Sequence, residues 1–548
     1  MKKFISILVI IIISLAVIRP LFGPNIPFTH DSQNHLGRFA NYYLALRQGQ
    51  IPPRWAPNLN NAFGYPALNF NYPLANLLAL PLIIIGLSIE TTFKVITVFS
   101  IIGSGIFMYF FLTKHFSSKS SLLGALVYLL APYQFILIYV RGVIGETLSF
   151  ALLPLLLLFI NKYYHQPSPK TLNLLIITFA SFLLSHNIIV LFSLPIIFCY
   201  ILITAGFKRK NLFSFLKPAT ISLLLVSFFW IPAILEKKYT FIDQTPLINE
   251  YKNHFPSLDQ LFYSGWGFGF SQPGPVDNLS LSIGIFNIIF VFLSLVILVK
   301  SKSLPKIISF SLSVFLLAAL LMNSFSQPIY ELLPVLQYIQ FPWRLLFFTT
   351  FASGILTAWV SQKILNLKFW LITITLLFIT SLPLANFIQG FHYKDFHWFS
   401  FSLTTSTKNE NMPIWFETEQ NFNFWSQKRE EGWDKFVTDL NNKAEFNIIS
   451  WDGTKHQYVV SSQNPIHLLE RTAYFPGWRM TVNGNNQTIN FQNQNFPGSI
   501  TTQLPAGKHE ITTKFTQRTT SRIIGNGLTV VGLLLLILTF KHPQLFLT

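Results

Sequence analysis

The feature that most constrains this chain is the recurrence of apolar runs of membrane length. Residues 4–22, 91–113, 120–139, 143–160, 171–185, 188–205, 215–235, 281–299, 304–322, 345–360, 369–387 and 523–540 form such runs. A helix needs roughly 20 predominantly apolar residues to cross about 30 Å of hydrocarbon. Backbone polar groups cannot be left unpaired there, so continuous runs of this length are helical. Only 11% of the 548 residues are charged and 51% are hydrophobic, whereas soluble domains carry about 25% charge. The sequence therefore predicts a polytopic α-helical membrane protein with about twelve transmembrane helices. The 57 Phe residues suit lipid-facing helices.

Net charge is +18, but Lys and Arg are scattered over short loops between apolar runs. They form no single face of the kind a nucleic-acid binder needs. Cytoplasmic loops are expected to be basic, which assigns Lys2/Lys3, Lys114/Lys119, Lys208/Arg209/Lys210/Lys217, Lys300/Lys302/Lys306 and Lys363/Lys368 to the inner side. These assignments agree if run 72–88, broken by Pro73 and Pro81, lies on the membrane surface. Both termini are then cytoplasmic. The first run is followed by Arg19-Pro20-Leu21-Phe22 rather than a small-residue cleavage site, and reads as a retained anchor. The single cysteine, Cys199, excludes a disulfide framework and a thiolate metal site within one chain.

This topology gives a transmembrane domain over 1–388 with an outer first loop at 23–90. An extracytoplasmic domain follows over 389–522, then a C-terminal transmembrane helix and short cytoplasmic tail over 523–548. Further outer stretches fall at 236–280 and 323–344. The 389–522 block is polar, and its second half alternates around Tyr458–Val460, His467–Leu469, Trp478–Val482 and Ile511–Phe515, as strands do. Asn483-Gly484 signals a type I′ hairpin, and Pro505-Ala506-Gly507 a second turn. The expectation is a β-sandwich-like domain entered through a mixed segment with several Trp residues.

Polar residues collect at the outer ends of the runs, where charge beside a bilayer is costly and calls for a reason. Asp31, with His30, His35 and Arg38, forms a compact cluster just after the first helix. If a helix runs from Asp31, then Asp31, His35 and Arg38 share one face. An outward carboxylate there can take a proton from a sugar hydroxyl or hold a divalent cation such as Mg or Mn. It can equally cap the helix. Glu146 lies five residues after Arg141 at a short outer turn. It reads either as a second acid or as the ion-pair partner of Arg141. His186 sits at another outer turn, and Arg344 follows Pro342-Trp343 at the mouth of a run. Arg38, Arg54, Arg141 and Arg344 are placed to bind a lipid phosphate. The Gly265–Phe270 stretch lacks the Lys-Ser/Thr ending of a nucleotide loop and reads as a loop shaping a cavity.

One anchor helix, an outer loop with an early Asp, juxtamembrane helices and many spans resemble the GT-C-type glycosyltransferases. That resemblance implies sugar transfer from a polyprenyl-phosphate donor to a glycan, lipid or protein acceptor on the outer surface. It carries the first-loop acid onto Asp31 and the second onto Glu146. Enzymes of this type often show a double acidic motif in the first loop, whereas Ser32 follows Asp31 here. His30-Asp31, Pro53-Arg54-Trp55, Gly64-Tyr65-Pro66, Ser185-His186-Asn187 and Phe341-Pro342-Trp343-Arg344 resemble bacterial membrane proteins described as pyruvoyl-tetrahydropterin synthase-related. The candidate substrate-binding residues are His30, Arg54, Trp55, Tyr65, His186 and Arg344 from these motifs, with His35, Arg38 and Arg141 from the outer polar clusters. The soluble pterin synthase of that name needs a His-ligated zinc, and this sequence has no matching set of three His. Tyr474-Phe475-Pro476-Gly477-Trp478 and Leu504-Pro505-Ala506-Gly507-Lys508-His509 are similar to the outer domain of YfhO-like membrane proteins. Two rival functions remain open on sequence: a transporter or flippase of lipid-linked sugars, and a non-catalytic glycan-binding or assembly protein of the cell envelope.

Overall fold

The computed structural model describes residues 3–243, 249–274, 276–301, 304–364, 366–390, 410–430, 435–438 and 444–542. The expected entry segment at 391–409 and the tail at 543–548 lie outside them. Each of the twelve apolar runs is helical. Among the described residues seven helices are long and apolar enough to cross a membrane singly. Three more runs are bent pairs, Ser118–Leu129 with Pro132–Arg141, Arg209–Leu225 with Ser227–Tyr239, and Lys306–Leu321 with Ser324–Leu332. The remaining two, Pro169–Leu183 and Ile285–Lys300, are shorter than 18 residues. Length and composition thus support up to ten spans rather than the expected twelve. Leu74–Ile84 is an 11-residue helix with Pro81 inside it, too short to cross.

The bundle is built around Pro342–Ile364 and Ile144–His165, whose spans are 94% and 83% buried. Thr520–Lys541, only 17% buried, lies at the periphery. The inner helices carry small residues where backbones meet. At Gly124 an added Cβ would collide with the Gly354 carbonyl, so these two helices pack through their glycines.

Among the described residues the C-terminal domain contains eight strands: β1 (Phe436–Thr438), β2 (Ala444–Trp451), β3 (Lys455–Ser462), β4 (Ile466–Ala473), β5 (Trp478–Val482), β6 (Asn485–Gln487), β7 (Ser499–Leu504) and β8 (Gly507–Phe515). They form a three-stranded sheet, β1-β4-β7, and a five-stranded sheet, β2-β3-β8-β5-β6. All pairings within the sheets are antiparallel. The β5–β6 hairpin turns on Asn483 and Gly484, both with positive φ, as its sequence predicts. The Pro505-Ala506-Gly507 turn passes the chain from one sheet to the other.

The two sheets share one apolar core, and the first loop completes it. Trp55, Phe63, Tyr65, Leu68 and Phe70 are buried in the same cluster as Tyr458, Phe475, Trp478 and Phe515. Trp55 meets Trp478 edge-on at 5.5 Å between ring centroids. Gly64, at φ +74°, sits against the Trp55 indole, where any Cβ would clash. Beside this core, Arg54 donates to Gln517 Oε1 at 2.7 Å, Asn69 Oδ1 at 2.8 Å, the Phe228 carbonyl at 2.8 Å and Asn526 Oδ1 at 2.9 Å. Asn69 donates in turn to Glu236, which pairs with Arg522 at 2.8 Å. This buried network joins the first loop, the helix Ser227–Glu236 and the root of the last helix.

Candidate functional site

The site begins with a backbone contact. His30 N donates to the Val140 carbonyl at 3.0 Å, and Asp31 N to that of Arg141 at 2.9 Å. These bonds bring the end of the first loop beside a π-helical turn, Ile136–Arg141, a distortion that often marks functional positions. The approach requires Gly142, which sits at φ +65° with Thr29 where its Cβ would be. Asp31 and Arg141 thereby reach one wall of a cavity.

That cavity encloses about 650 Å3, within the range of small-molecule sites. His30, Asp31, Arg38, Arg141, His186 and Arg344 line it. Phe70, Ile188, Leu191 and Trp230 supply an apolar side. Asp31 stands at the N-cap of Ser32–Arg47, yet its side chain makes no capping bond. Its carboxylate accepts only from Asn34 Nδ2, at 3.3 Å, among the described residues. The capping alternative therefore does not account for this Asp, whose oxygens face the cavity.

Glu146 is placed differently. It is fully buried beneath the wall, at the start of Ile144–His165, and does not line the cavity. Its Oε1 lies 2.9 Å from Arg141 Nη1, 3.5 Å from Arg344 Nε and 3.7 Å from His186 Nε2. Its Oε2 accepts from the Tyr133 hydroxyl at 2.8 Å. The reading of Glu146 as a second reacting acid is thus corrected to the ion-pair reading. It is a buried anchor holding three cavity-lining groups. His186 Nδ1 accepts from Ile189 N at 3.3 Å, capping the helix Asn187–Ala205. A neutral His186 therefore carries its proton on Nε2, facing Glu146.

The guanidiniums are held from behind and open toward the cavity. Arg141 stacks over Trp343, 4.7 Å from the ring centroid. Arg344 donates through Nη1 to the Ile339 carbonyl at 3.0 Å and Gln340 Oε1 at 2.9 Å, and lies 4.9 Å from the Phe341 centroid. Aromatic stacking fixes each plane while leaving N–H groups for a ligand. Arg38 lines the wall one helical face from Asp31. His30 stacks on Phe270 at 4.0 Å and contacts the Phe268 carbonyl at 3.3 Å, so the Gly-rich loop forms part of the wall as its composition suggests. Burial holds the His30 imidazole below its usual range, which leaves the ring neutral near pH 7.

Besides Glu146, four expected positions lie off the cavity. His35 is buried between Tyr72 and Phe93 rather than sharing the open face with Asp31. Burial, reinforced by Arg38 and His186, holds its imidazole well below the usual range. Arg54 is committed to the first-loop network, and Trp55 and Tyr65 to the core of the β domain. These three serve assembly of the domains, because each packs against partners far along the chain.

One group on the wall has no signal in the sequence. Glu410 enters from the segment preceding the β domain, beside Asn411. Burial raises its carboxyl above the usual range, opposed by Arg38 and Arg344 and assisted by Asp31. Among the described lining residues, three guanidiniums thus face two carboxylates. Among the described residues no group of three or more His, Cys, Asp or Glu converges as metal ligands do. A wall with excess positive charge suits an anion better than a resident Mg or Mn.

Residues 68–388 match the family described as 6-pyruvoyl-tetrahydropterin synthase related domain, a membrane protein. A curated but uncharacterized protein of Lactococcus lactis subsp. cremoris (strain MG1363) is 24% identical over 225 residues, covering 40% of this chain and 36% of that protein. The chain thus spans about a third of the length of the curated relative it matches. Among solved structures, the arabinofuranosyltransferase AftD from Mycobacteria is similar at a TM-score of 0.45 and 14% identity, over 70% of this chain and 26% of that one. The archaeal oligosaccharyltransferase AglB from Archaeoglobus fulgidus, in complex with an inhibitory peptide and a dolichol-phosphate, is similar at 0.46 and 12%, over 78% and 58%. With its family match covering more than half of the chain, the protein belongs to the 6-pyruvoyl-tetrahydropterin synthase related family of membrane proteins.

Proposed function

We propose that this protein is an integral membrane glycosyltransferase, moving a sugar from a polyprenyl-phosphate donor to a glycan, lipid or protein acceptor outside the cytoplasm. The observation that carries this reading is the composition of the cavity. Asp31 shares the lining with Arg141, Arg344 and Arg38, with Glu410 as the second carboxylate, and with the apolar Phe70, Ile188, Leu191 and Trp230. In the proposed reaction an acceptor hydroxyl oxygen attacks the anomeric carbon, and Asp31 takes its proton. The bond from that carbon to the phosphate oxygen breaks, and the polyprenyl phosphate leaves with the bonding pair. Arg141 and Arg344 stabilise the charge that develops there, their planes already fixed by Trp343, Phe341 and Glu146. Phosphate recognition by guanidinium needs no metal in this scheme. The apolar side accommodates the lipid end of the donor.

The test is transfer from a panel of radiolabelled polyprenyl-phosphate sugars by the protein reconstituted in lipid, wild type beside Asp31→Asn. Loss of transfer in a folded Asp31→Asn protein is expected. Equal transfer by both would remove Asp31 as the base, and no transfer from any donor would remove the enzyme reading.

A further inference from the structure

The end of the bundle away from the β domain holds a second cavity, of about 430 Å3. Helix Ile144–His165 starts at the first cavity and reaches the second at Leu156 and Ile160, about 20 Å further along at 1.5 Å per residue. Phe179, Ile197, Phe198 and Leu212 continue its wall, and Arg209 is the one charged side chain among the described lining residues. The segment carrying Arg209 is fixed in place. Asn211 Nδ2 donates to the Ala205 carbonyl at 2.8 Å and to the Tyr164 hydroxyl at 3.1 Å, and the Tyr163 hydroxyl donates to the Ser214 carbonyl at 3.3 Å. Arg209 itself makes no hydrogen bond or ion pair among the described residues. Lys208 and Lys210 flank it and are exposed. Phe198 and Phe213, both in its lining, are exposed, so the opening faces the hydrocarbon side of the bundle.

We infer that this cavity seats an acyl chain of an anionic phospholipid, with the headgroup phosphate held by Arg209. The occupant follows from two complementary surfaces. An apolar slot of this volume opening among exposed Phe side chains fits a hydrocarbon chain. An exposed guanidinium on an anchored segment, without a partner among the described residues and between two lysines, fits a headgroup with net negative charge and disfavours one carrying a choline cation. Basic residues near a membrane surface attract anionic lipid in this way. The site is independent of the sugar-transfer reading, since it lies at the opposite end of the bundle.

The experiment offers the purified full-length protein equal phosphatidylglycerol and phosphatidylcholine with matched acyl chains, and reads retained lipid by native mass spectrometry. Wild type is expected to retain phosphatidylglycerol over phosphatidylcholine by about fivefold. Arg209→Gln should abolish that preference and Arg209→Lys should keep most of it. Ala219→Phe, which fills the slot, should lose both lipids. Equal retention by wild type, or an undiminished preference in Arg209→Gln, overturns the proposal. Displacement of phosphatidylglycerol by inorganic phosphate alone also overturns it, assigning a free-anion site instead.

Discussion

Glu146→Gln tests the electrostatic design of the site most directly. The substitution keeps the shape of the side chain and an acceptor for the Tyr133 hydroxyl, but removes a charge that faces Arg141 at 2.9 Å and Arg344 at 3.5 Å. Two buried guanidiniums are then left side by side without their counter-ion. Removing one partner of a buried ion pair costs about 3–5 kcal/mol, while replacing both with apolar groups is often close to neutral. Glu146→Gln should therefore lower unfolding stability by about 3–5 kcal/mol, and Arg141→Met with Glu146→Met should recover part of it, because only Arg344 is then left without its counter-ion. The assay is denaturant unfolding of the reconstituted protein, run beside sugar transfer. The double variant should be more stable than Glu146→Gln yet inactive, because the cavity has lost a guanidinium. A Glu146→Gln protein within about 0.5 kcal/mol of wild type, the range of an ordinary surface substitution, and with unchanged donor affinity would refute the anchoring role.

Three further outcomes follow from named contacts. Arg344→Gln removes a charge-assisted contact to the donor phosphate worth about 1.5–3 kcal/mol; kcat/KM should fall about 10- to 150-fold, measured against a series of donor concentrations. Glu410 holds its proton to higher pH in the folded chain than in the unfolded one, so the folded state binds more protons across the window above the usual carboxyl range and stability falls as pH rises through it. Glu410→Gln abolishes that loss, and its thermal midpoint should gain on wild type as pH rises above the usual carboxyl range; a constant difference would contradict the assignment. Arg54→Ala removes four hydrogen bonds and leaves Glu236 with one cation fewer nearby. It should cost about 3–5 kcal/mol and increase proteolysis between the β domain and the last helix, with transfer lost in proportion to unfolded protein.

What the sequence made legible was whatever the membrane makes expensive. Charges at the ends of apolar runs are conspicuous, so Asp31, Arg141, Glu146, His186 and Arg344 could be picked out one by one, and the fold gathers all five within a small volume. Which of two nearby carboxylates faces the cavity was not legible, because one helical turn decides it and both lie at helix starts. Arg54, Trp55 and Tyr65 were misplaced for a related reason. A first-loop Arg with aromatic neighbours has the composition of a phosphate site, and only the tertiary contacts to Gln517, Asn526 and Trp478 show it holding two domains together. Glu410 carried no signal because it lies in a polar stretch, Lys408-Asn409-Glu410-Asn411, away from any apolar run of membrane length, and the charges that face it, Arg38, Arg344 and Asp31, come from distant segments. In the β domain, strands with alternating apolar residues were readable, whereas β2 was not, since its residues are mostly exposed on both faces.

The placement of the two carboxylates has a physical logic. A cation wall built without Glu146 would set Arg141 and Arg344 against each other in a low-dielectric interior, where like charges repel strongly. Glu146 removes that cost from behind and leaves their remaining N–H groups free for a ligand. Had the same carboxylate lain on the wall, it would have competed with a phosphate for those donors. Asp31 can stay open because it is tied to Arg141 through its backbone N–H and not through its side chain. Its position is therefore set without using its charge. A site that must hold an anion and accept a proton within a few ångströms requires this division. One acid is spent on the guanidiniums out of the substrate's reach, and the other is fixed by the main chain and kept unpaired.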